Sequence, residues 1–149
     1  MFMIRKIEKS DRNTFLFFAR AFYSCEAVDH TIPTSYHTAT FEQLMASDQY
    51  AEGYILEYAG KPAGYALTAK TFSQEAGGMV VWIEEIFILP GYRNKGLGSE
   101  FFAYVRENIE PHVARIRLEV EPENTAAIRL YERMGFKPLP YGQMIKECQ

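Results

Sequence analysis

The sequence predicts a mixed α/β (α+β) fold, with a mostly antiparallel central sheet of about six or seven strands flanked by about four helices. Three observations carry that expectation. Residues 53 to 70 hold two β-forming runs around a breaker-rich turn, residues 79 to 105 read strand, loop, helix, and residues 116 to 134 repeat strand and helix. No fixed-period repeat and no Pro/Ser/Gly-rich linker divides the chain, so a single domain over residues 1–149 is expected.

In chain order, Met3 to Ile7 form a first strand, and Ser10 caps a helix in which Phe15, Phe18, Ala19 and Phe22 recur at helical spacing. Periodicity is lost from Tyr23 to Tyr36, and Glu26 to Pro33 read as a loop before a second short helix near Thr40 to Ser47. Gly53 to Tyr58 and Gly64 to Lys70 pair as a hairpin around Ala59-Gly60-Lys61-Pro62. Met79 to Leu89 is nearly continuous in β-formers and is ended by Pro90-Gly91. Leu97, Phe101, Tyr104 and Val105 then repeat at helical spacing until Pro111. Ile116, Leu118 and Val120 alternate with Arg117 and Glu119 in another strand. Asn124 caps a last helix with Ala127, Leu130, Tyr131 and Met134 on one face, and Gly135 closes it in the left-handed conformation. A tail strand around Gln143 to Lys146 completes the sheet.

The chain has 149 residues, 48% hydrophobic and 23% charged, enough to bury a core without disulfides or metal. No run of eighteen uncharged apolar residues occurs, and Met1-Phe2-Met3-Ile4-Arg5-Lys6 reaches charge too soon for a signal peptide, so a cytoplasmic protein with no membrane partner is expected. Cys25 and Cys148 lie far apart with no metal-ligand spacing, which predicts no bound metal. The net charge of −3 argues against a nucleic-acid partner, since phosphate neutralisation needs a basic face.

The first chemical signal is Arg93-Asn94-Lys95-Gly96-Leu97-Gly98-Ser99, set between the end of a buried strand and the start of a helix. Glycines there let backbone N–H groups turn toward an anion, the helix N-terminus adds a positive dipole end, and Arg93 and Lys95 add formal charge. A nicotinamide-type fingerprint would need a third glycine where Phe101 stands, and a P-loop would need Gly-Lys-Ser/Thr, so both are rejected. The second signal is Glu84-Glu85 inside the apolar run of residues 79 to 89. Strand neighbours point to opposite faces, so at least one carboxylate faces a covered side unless the strand is bulged. Such burial is tolerated when the group is paired or when a raised pKa serves proton transfer.

The run Glu84 to Gly98 resembles motif A of the GNAT superfamily of acetyl-CoA-dependent N-acetyltransferases, with its Arg/Gln-x-x-Gly-x-Gly/Ala signature. Asn124-Thr125-Ala126-Ala127-Ile128-Arg129-Leu130-Tyr131-Glu132-Arg133-Met134-Gly135-Phe136 resembles motif B, and together the two cover roughly residues 79 to 137. The resemblance implies acetyl-CoA as co-substrate. Main-chain groups of Ile86, Phe87 and Ile88 would then meet the pantetheine arm, and the backbone of Arg93 to Ser99 the pyrophosphate. Asn124 would touch the pantetheine or phosphate portion, and Tyr131 would stand beside the CoA sulfur as proton donor to the thiolate. Asn94 stands where many members have glycine.

Polyamine and other small-amine acetyltransferases of the superfamily carry a similar acidic pair, which implies Glu84 as substrate contact or base. Leu118-Glu119-Val120 resembles the protein N-terminal acetyltransferases instead, so Glu84, Glu85 and Glu119 all stand as candidate bases. Tyr23 and Glu26, with Asp29 and His30, lie where the family builds its acceptor site, and their acids suit a cationic amine. His30 and His37 have no Ser or Asp spacing that supports a hydrolase triad. The expected activity is N-acetylation of a small cationic amine in a ternary complex. The alternatives are a protein N-terminal acetyltransferase and a CoA-binding sensor without catalysis, and a homodimer fits the family's habit.

Overall fold

A computed structural model describes residues 1–24 and 31–149. The described chain divides into two compact units, Met1–Glu119 and Val120–Gln149, taken here in turn.

In the first unit β1 (Phe2–Lys6), β2 (Ala51–Tyr58), β3 (Lys61–Ser73), β4 (Gly78–Ile88) and β5 (Arg115–Leu118) form one sheet in sequence order. The first four strands pair antiparallel and β5 runs parallel to β4. A parallel neighbour requires a crossover, and α3 (Leu97–Asn108) supplies it. The β2–β3 turn contracts to Ala59-Gly60, both at positive φ (52° and 78°), the two-residue loop whose twist suits a hairpin. Lys61 and Pro62 therefore belong to β3 rather than to the turn.

Period-two alternation along these strands sends successive side chains to two different cores. Ile55, Tyr65 and Phe87 pack under Phe15, Phe18 and Ala19 of α1 (Arg12–Tyr23) and Phe41 of α2 (Thr34–Ala46). On the opposite face the Tyr54 ring lies 6.0 Å from Phe101 and 5.4 Å from Tyr104 of α3, whose Leu97, Phe102 and Val105 are also buried. Gly64 of β3 lies so close to β4 that a Cβ there would stand 2.0 Å from the Phe87 carbonyl oxygen. No side chain is compatible with that approach.

Several expectations need correction. Ser10 does not cap α1: it lies inside a 3₁₀ turn, Lys9–Asp11, and the helix begins at Arg12. The anchor is Asp11, whose carboxylate accepts the Glu8 N–H at 2.8 Å and two Arg5 guanidinium bonds at 2.8 and 2.9 Å. The second helix starts at Thr34, well before Thr40; its apolar residues follow no helical period and only His37 and Phe41 are buried, so nothing in the pattern marks its first turns. The sheet has five strands among the described residues, not six or seven.

The missing strand is the tail. In the second unit residues 137–149 form no strand, and Met144 and Ile145 are 98% and 85% exposed. Four residues with two adjacent apolar side chains do not make a strand without a partner for their backbone groups. The rest of that unit is α4 (Thr125–Arg133), capped by Asn124 Oδ1 accepting the Ala127 N–H at 3.2 Å. It ends in a Schellman motif: Gly135 at φ 95° donates to Glu132 and Phe136 donates to Tyr131, both at 3.0 Å.

Candidate active site

The acidic pair is resolved by one register shift. Leu67 of β3 pairs with Glu85 and Thr68 pairs with Ile83, so Glu84 is the extra residue of a bulge. Its effect is a change of parity. Ile83, opposite Thr68, and Val81 belong with the α3 face, and an unbroken strand would put residue 85 there too. The added residue turns Glu85 and Phe87 to the α1 face and leaves Glu84 exposed.

Glu84 then stands at a fork. Ile83 pairs with Leu118 as the last matched position of β4 and β5, and the next residues in each chain are Glu84 and Glu119. Although Glu84 is exposed, lost hydration at the sheet raises its pKa, and the Glu119 and Glu85 carboxylates push it the same way. A carboxyl so shifted is a better proton acceptor once ionised. Glu85 does something different. Its two oxygens accept the hydroxyls of Tyr23 at 2.5 Å and Tyr65 at 2.6 Å, lengths of charge-assisted bonds. Burial, then the bond to Glu85, raises the Tyr23 pKa. The buried His37 ring lies 5.4 Å from that of Tyr23, and lost hydration lowers its pKa, which favours the neutral imidazole.

Beyond the fork, β4 continues with no partner on its β5 side among the described residues. The Leu89 N–H donates to Ala63 at 2.8 Å, so by alternation the main chain of Phe87 faces β3, and that of Ile86 and Ile88 faces the open edge. The expectation that all three would offer main-chain groups is therefore corrected: Phe87 is in the ladder and its side chain is core. The Ile88 carbonyl is already taken, at 2.8 Å, by Nε of Arg93.

A 3₁₀ turn, Pro90–Tyr92, leads into the glycine loop. Asn94 sits at φ 61° and Gly96 at φ 93°. Asparagine is among the residues that tolerate this region, which accounts for its standing where glycine is common. Gly96 occupies the N-cap of α3 and has no side chain to cap it, and the first helical bond is Glu100 N–H to Gly96 at 3.0 Å. The N–H groups of Leu97, Gly98 and Ser99 therefore have no partner within the helix. A Cβ at Gly98 would meet nothing within 4 Å. This open concavity of amides fits a diphosphate, and Leu97, with its side chain buried, contributes its backbone alone. Arg93 and Lys95 are exposed but lean on rings, 6.0 Å from Phe87 and 5.6 Å from Tyr58.

In the second unit Asn124 commits its amide oxygen to capping α4, and the Tyr131 ring lies 5.9 Å from Phe136. Burial raises the Tyr131 pKa, which keeps the phenol protonated at neutral pH. Glu26, Asp29 and His30 lie outside the described residues. Sequence reasoning missed Tyr65 and the structural place of His37. Tyr65 reads as one more apolar strand residue, and nothing local marks its hydroxyl as a partner of Glu85. A cavity of about 340 Å³ on the α3 face, lined by Lys6, Glu52, Lys70 and His112 among others, contains none of the predicted site residues.

A sheet that parts between two parallel strands, with carboxylates at the fork and unpaired amides along its far edge, is the framework of an acyltransferase. The chain belongs to the acetyltransferase (GNAT) family, whose profile matches residues 15–136. It is 32% identical over 120 residues to the [ribosomal protein bS18]-alanine N-acetyltransferase of Escherichia coli K12, covering 78% of this chain and 72% of that one. It is 27% identical over 109 residues to the aminoglycoside N(6')-acetyltransferase type 1 of Salmonella typhimurium, covering 70% and 74%. Among solved structures, AAC(6')-Iy in complex with the bisubstrate analogue CoA-S-monomethyl-acetylneamine superposes with a TM-score of 0.80 at 19% identity, over 100% of this chain and 99% of that one. The protein is an N-acetyltransferase with acetyl-CoA as its co-substrate. No helix among the described residues is long and apolar enough to cross a membrane.

Proposed function

We propose that the protein transfers the acetyl group of acetyl-CoA to the primary amine of a small cationic acceptor, by direct attack in a ternary complex. The observation that carries this reading is Glu84: a bulged, solvent-accessible carboxylate at the strand fork, its pKa raised, with Glu119 beside it. Two carboxylates there attract an ammonium group, and Glu84 accepts its proton so that the free amine can attack. Acetyl-CoA supplies the thioester carbonyl. The Ile86 N–H on the open edge is the donor for the charge that develops on its oxygen. The amides of Leu97, Gly98 and Ser99, with Lys95, hold the diphosphate, and the family resemblance is what assigns Asn124 to the arm. Tyr131, kept protonated by burial, gives its proton to the departing thiolate. The enzyme acts in the cytoplasm, where acetyl-CoA is available.

A second reading is supported by the ribosomal-protein relative and by Glu119 at the end of β5: an acceptor that is a protein N-terminus, with Glu119 as base. Thiol release from acetyl-CoA, measured with spermidine, a monoamine, an amino acid, an aminoglycoside and a peptide beginning with alanine, separates the two. Release with small amines supports the first reading, and release with the peptide alone replaces it by the second. Because the base must be ionised, kcat/KM rises with pH through the Glu84 pKa, above the ordinary glutamate range. Glu84→Gln removes that limb and lowers turnover about 100-fold. Unchanged turnover in this variant removes Glu84 as the base.

A further inference from the structure

Glu85 is an unusual carboxylate. It lies part-buried at the bulge, and among the described residues no lysine or arginine forms an ion pair with it. Two neutral hydroxyls hold it instead, one on each oxygen, and they come from different elements. Tyr65 belongs to β3 and is completely buried, its ring 5.4 Å from Phe15 and 6.1 Å from Phe87. Tyr23 is the last residue of α1, its ring 5.1 Å from Phe22 and 5.4 Å from His37 of α2. Two helices and a neighbouring strand thus converge on the residue that follows Glu84.

A bulge is the least constrained point of a ladder, since its extra residue has no cross-strand partner. Here the restraint comes through the next residue. With both oxygens bonded, Glu85 cannot rotate without breaking a bond of 2.5 or 2.6 Å, and its Cα direction sets the course of the chain through residue 84. Hydroxyl bonds fix a carboxylate without cancelling its charge, so Glu85 also remains a negative neighbour of Glu84.

We propose that Glu85, clamped between Tyr23 and Tyr65, is a positioning residue that fixes the bulge and so sets where Glu84 meets the acceptor amine. This rests on the reading of Glu84 as the proton acceptor. The clamp ties acceptor handling to the packing of α1 and α2 on the sheet, while the amides at the start of α3 lie outside it. Its loss therefore raises the acceptor KM or lowers kcat and spares acetyl-CoA binding.

The test uses the full chain labelled with ¹³C at glutamate carboxyls, the Glu84 signal being assigned by its loss in Glu84→Gln. Charged or titratable groups facing Glu84 are Glu85 on its own strand, Glu119 after β5 and Tyr23 on α1. Tyr23→Phe and Tyr65→Phe remove one tether each and delete no carboxyl group. A displaced Glu84 midpoint in these variants therefore reports a change of position. Tyr23 is only partly buried, so Tyr23→Phe stays informative if Tyr65→Phe fails to fold. The expected result is a displaced midpoint in Tyr23→Phe. With it comes a fall of about tenfold in kcat/KM for the best acceptor of the panel, with acetyl-CoA KM within twofold of wild type. An unmoved Glu84 midpoint in Tyr23→Phe overturns the clamp, whatever the kinetics. Unchanged turnover in Glu84→Gln overturns the assigned base instead, and the midpoints still decide the clamp.

Discussion

Gly64→Ala tests how tightly the fold controls the open edge of β4. A Cβ at this position would stand 2.0 Å from the Phe87 carbonyl oxygen and 3.0 Å from the Ile88 Cα. Non-bonded atoms settle at about 3.5 Å, so β4 has to retreat by about 1–1.5 Å. Overpacking of that kind costs about 1–3 kcal/mol. The adjacent Leu89 N–H bond to Ala63, 2.8 Å long, is stretched by the same movement, which adds about 1 kcal/mol. A loss of about 2–4 kcal/mol follows, seen as a lower urea midpoint at unchanged m-value and, at this chain length, a Tm lower by roughly 10 °C. Because Ile86 and Ile88 move with Phe87, acetyl-CoA affinity measured by calorimetry falls as well. A variant within 0.5 kcal/mol of wild type with unchanged acetyl-CoA affinity would refute the reasoning.

Three further outcomes are expected. Gly98→Ala meets no neighbour within 4 Å and lies in α3, so stability is retained or improved by up to about 1 kcal/mol. The family signature accepts alanine at this place and the methyl removes no backbone N–H, so acetyl-CoA affinity in calorimetry is retained, the reverse of the Gly64 pattern, and a marked loss would refute the open approach to these amides. Tyr131→Phe lowers kcat with little change in acetyl-CoA affinity, and equal turnover removes Tyr131 as the acid. Asp11→Asn costs about 2 kcal/mol at pH 7, the value of its charged bonds to Arg5. Since those bonds lower the folded pKa of Asp11, its stabilisation is full above about pH 5 and is lost as pH falls through the lowered value. Urea unfolding of wild type and variant from pH 7 to 3 should show the two curves converging in acid.

The elements whose conformation is decided by near neighbours were legible in the sequence. The Gly135 stop, the Asn124 cap and a hairpin turn beginning at Ala59-Gly60 each follow from residue types within a few positions. The family motifs have the same local character, which is why residues 84 to 98 and 124 to 136 pointed to an acetyltransferase. Reading failed where a pattern was weak or lacked its partner. Helix α2 shows almost no apolar period, and the tail offers only the adjacent pair Met144-Ile145, with no strand among the described residues to receive it.

The sequence by itself determined the class of enzyme, the glycine loop that leads into α3, most of the elements, and the fact that an acidic pair interrupts a buried strand. It did not determine which carboxylate faces which side. Only the tertiary structure decided that, because the parity of β4 depends on the point at which β3 skips a partner between Leu67 and Thr68. The clamp on Glu85 likewise joins residues 62 and 20 positions apart, Tyr23 and Tyr65, whose hydroxyls have no local reason to point at it. Backbone preferences are set by adjacent residues, whereas register and side-chain convergence are set by how the strands and helices pack.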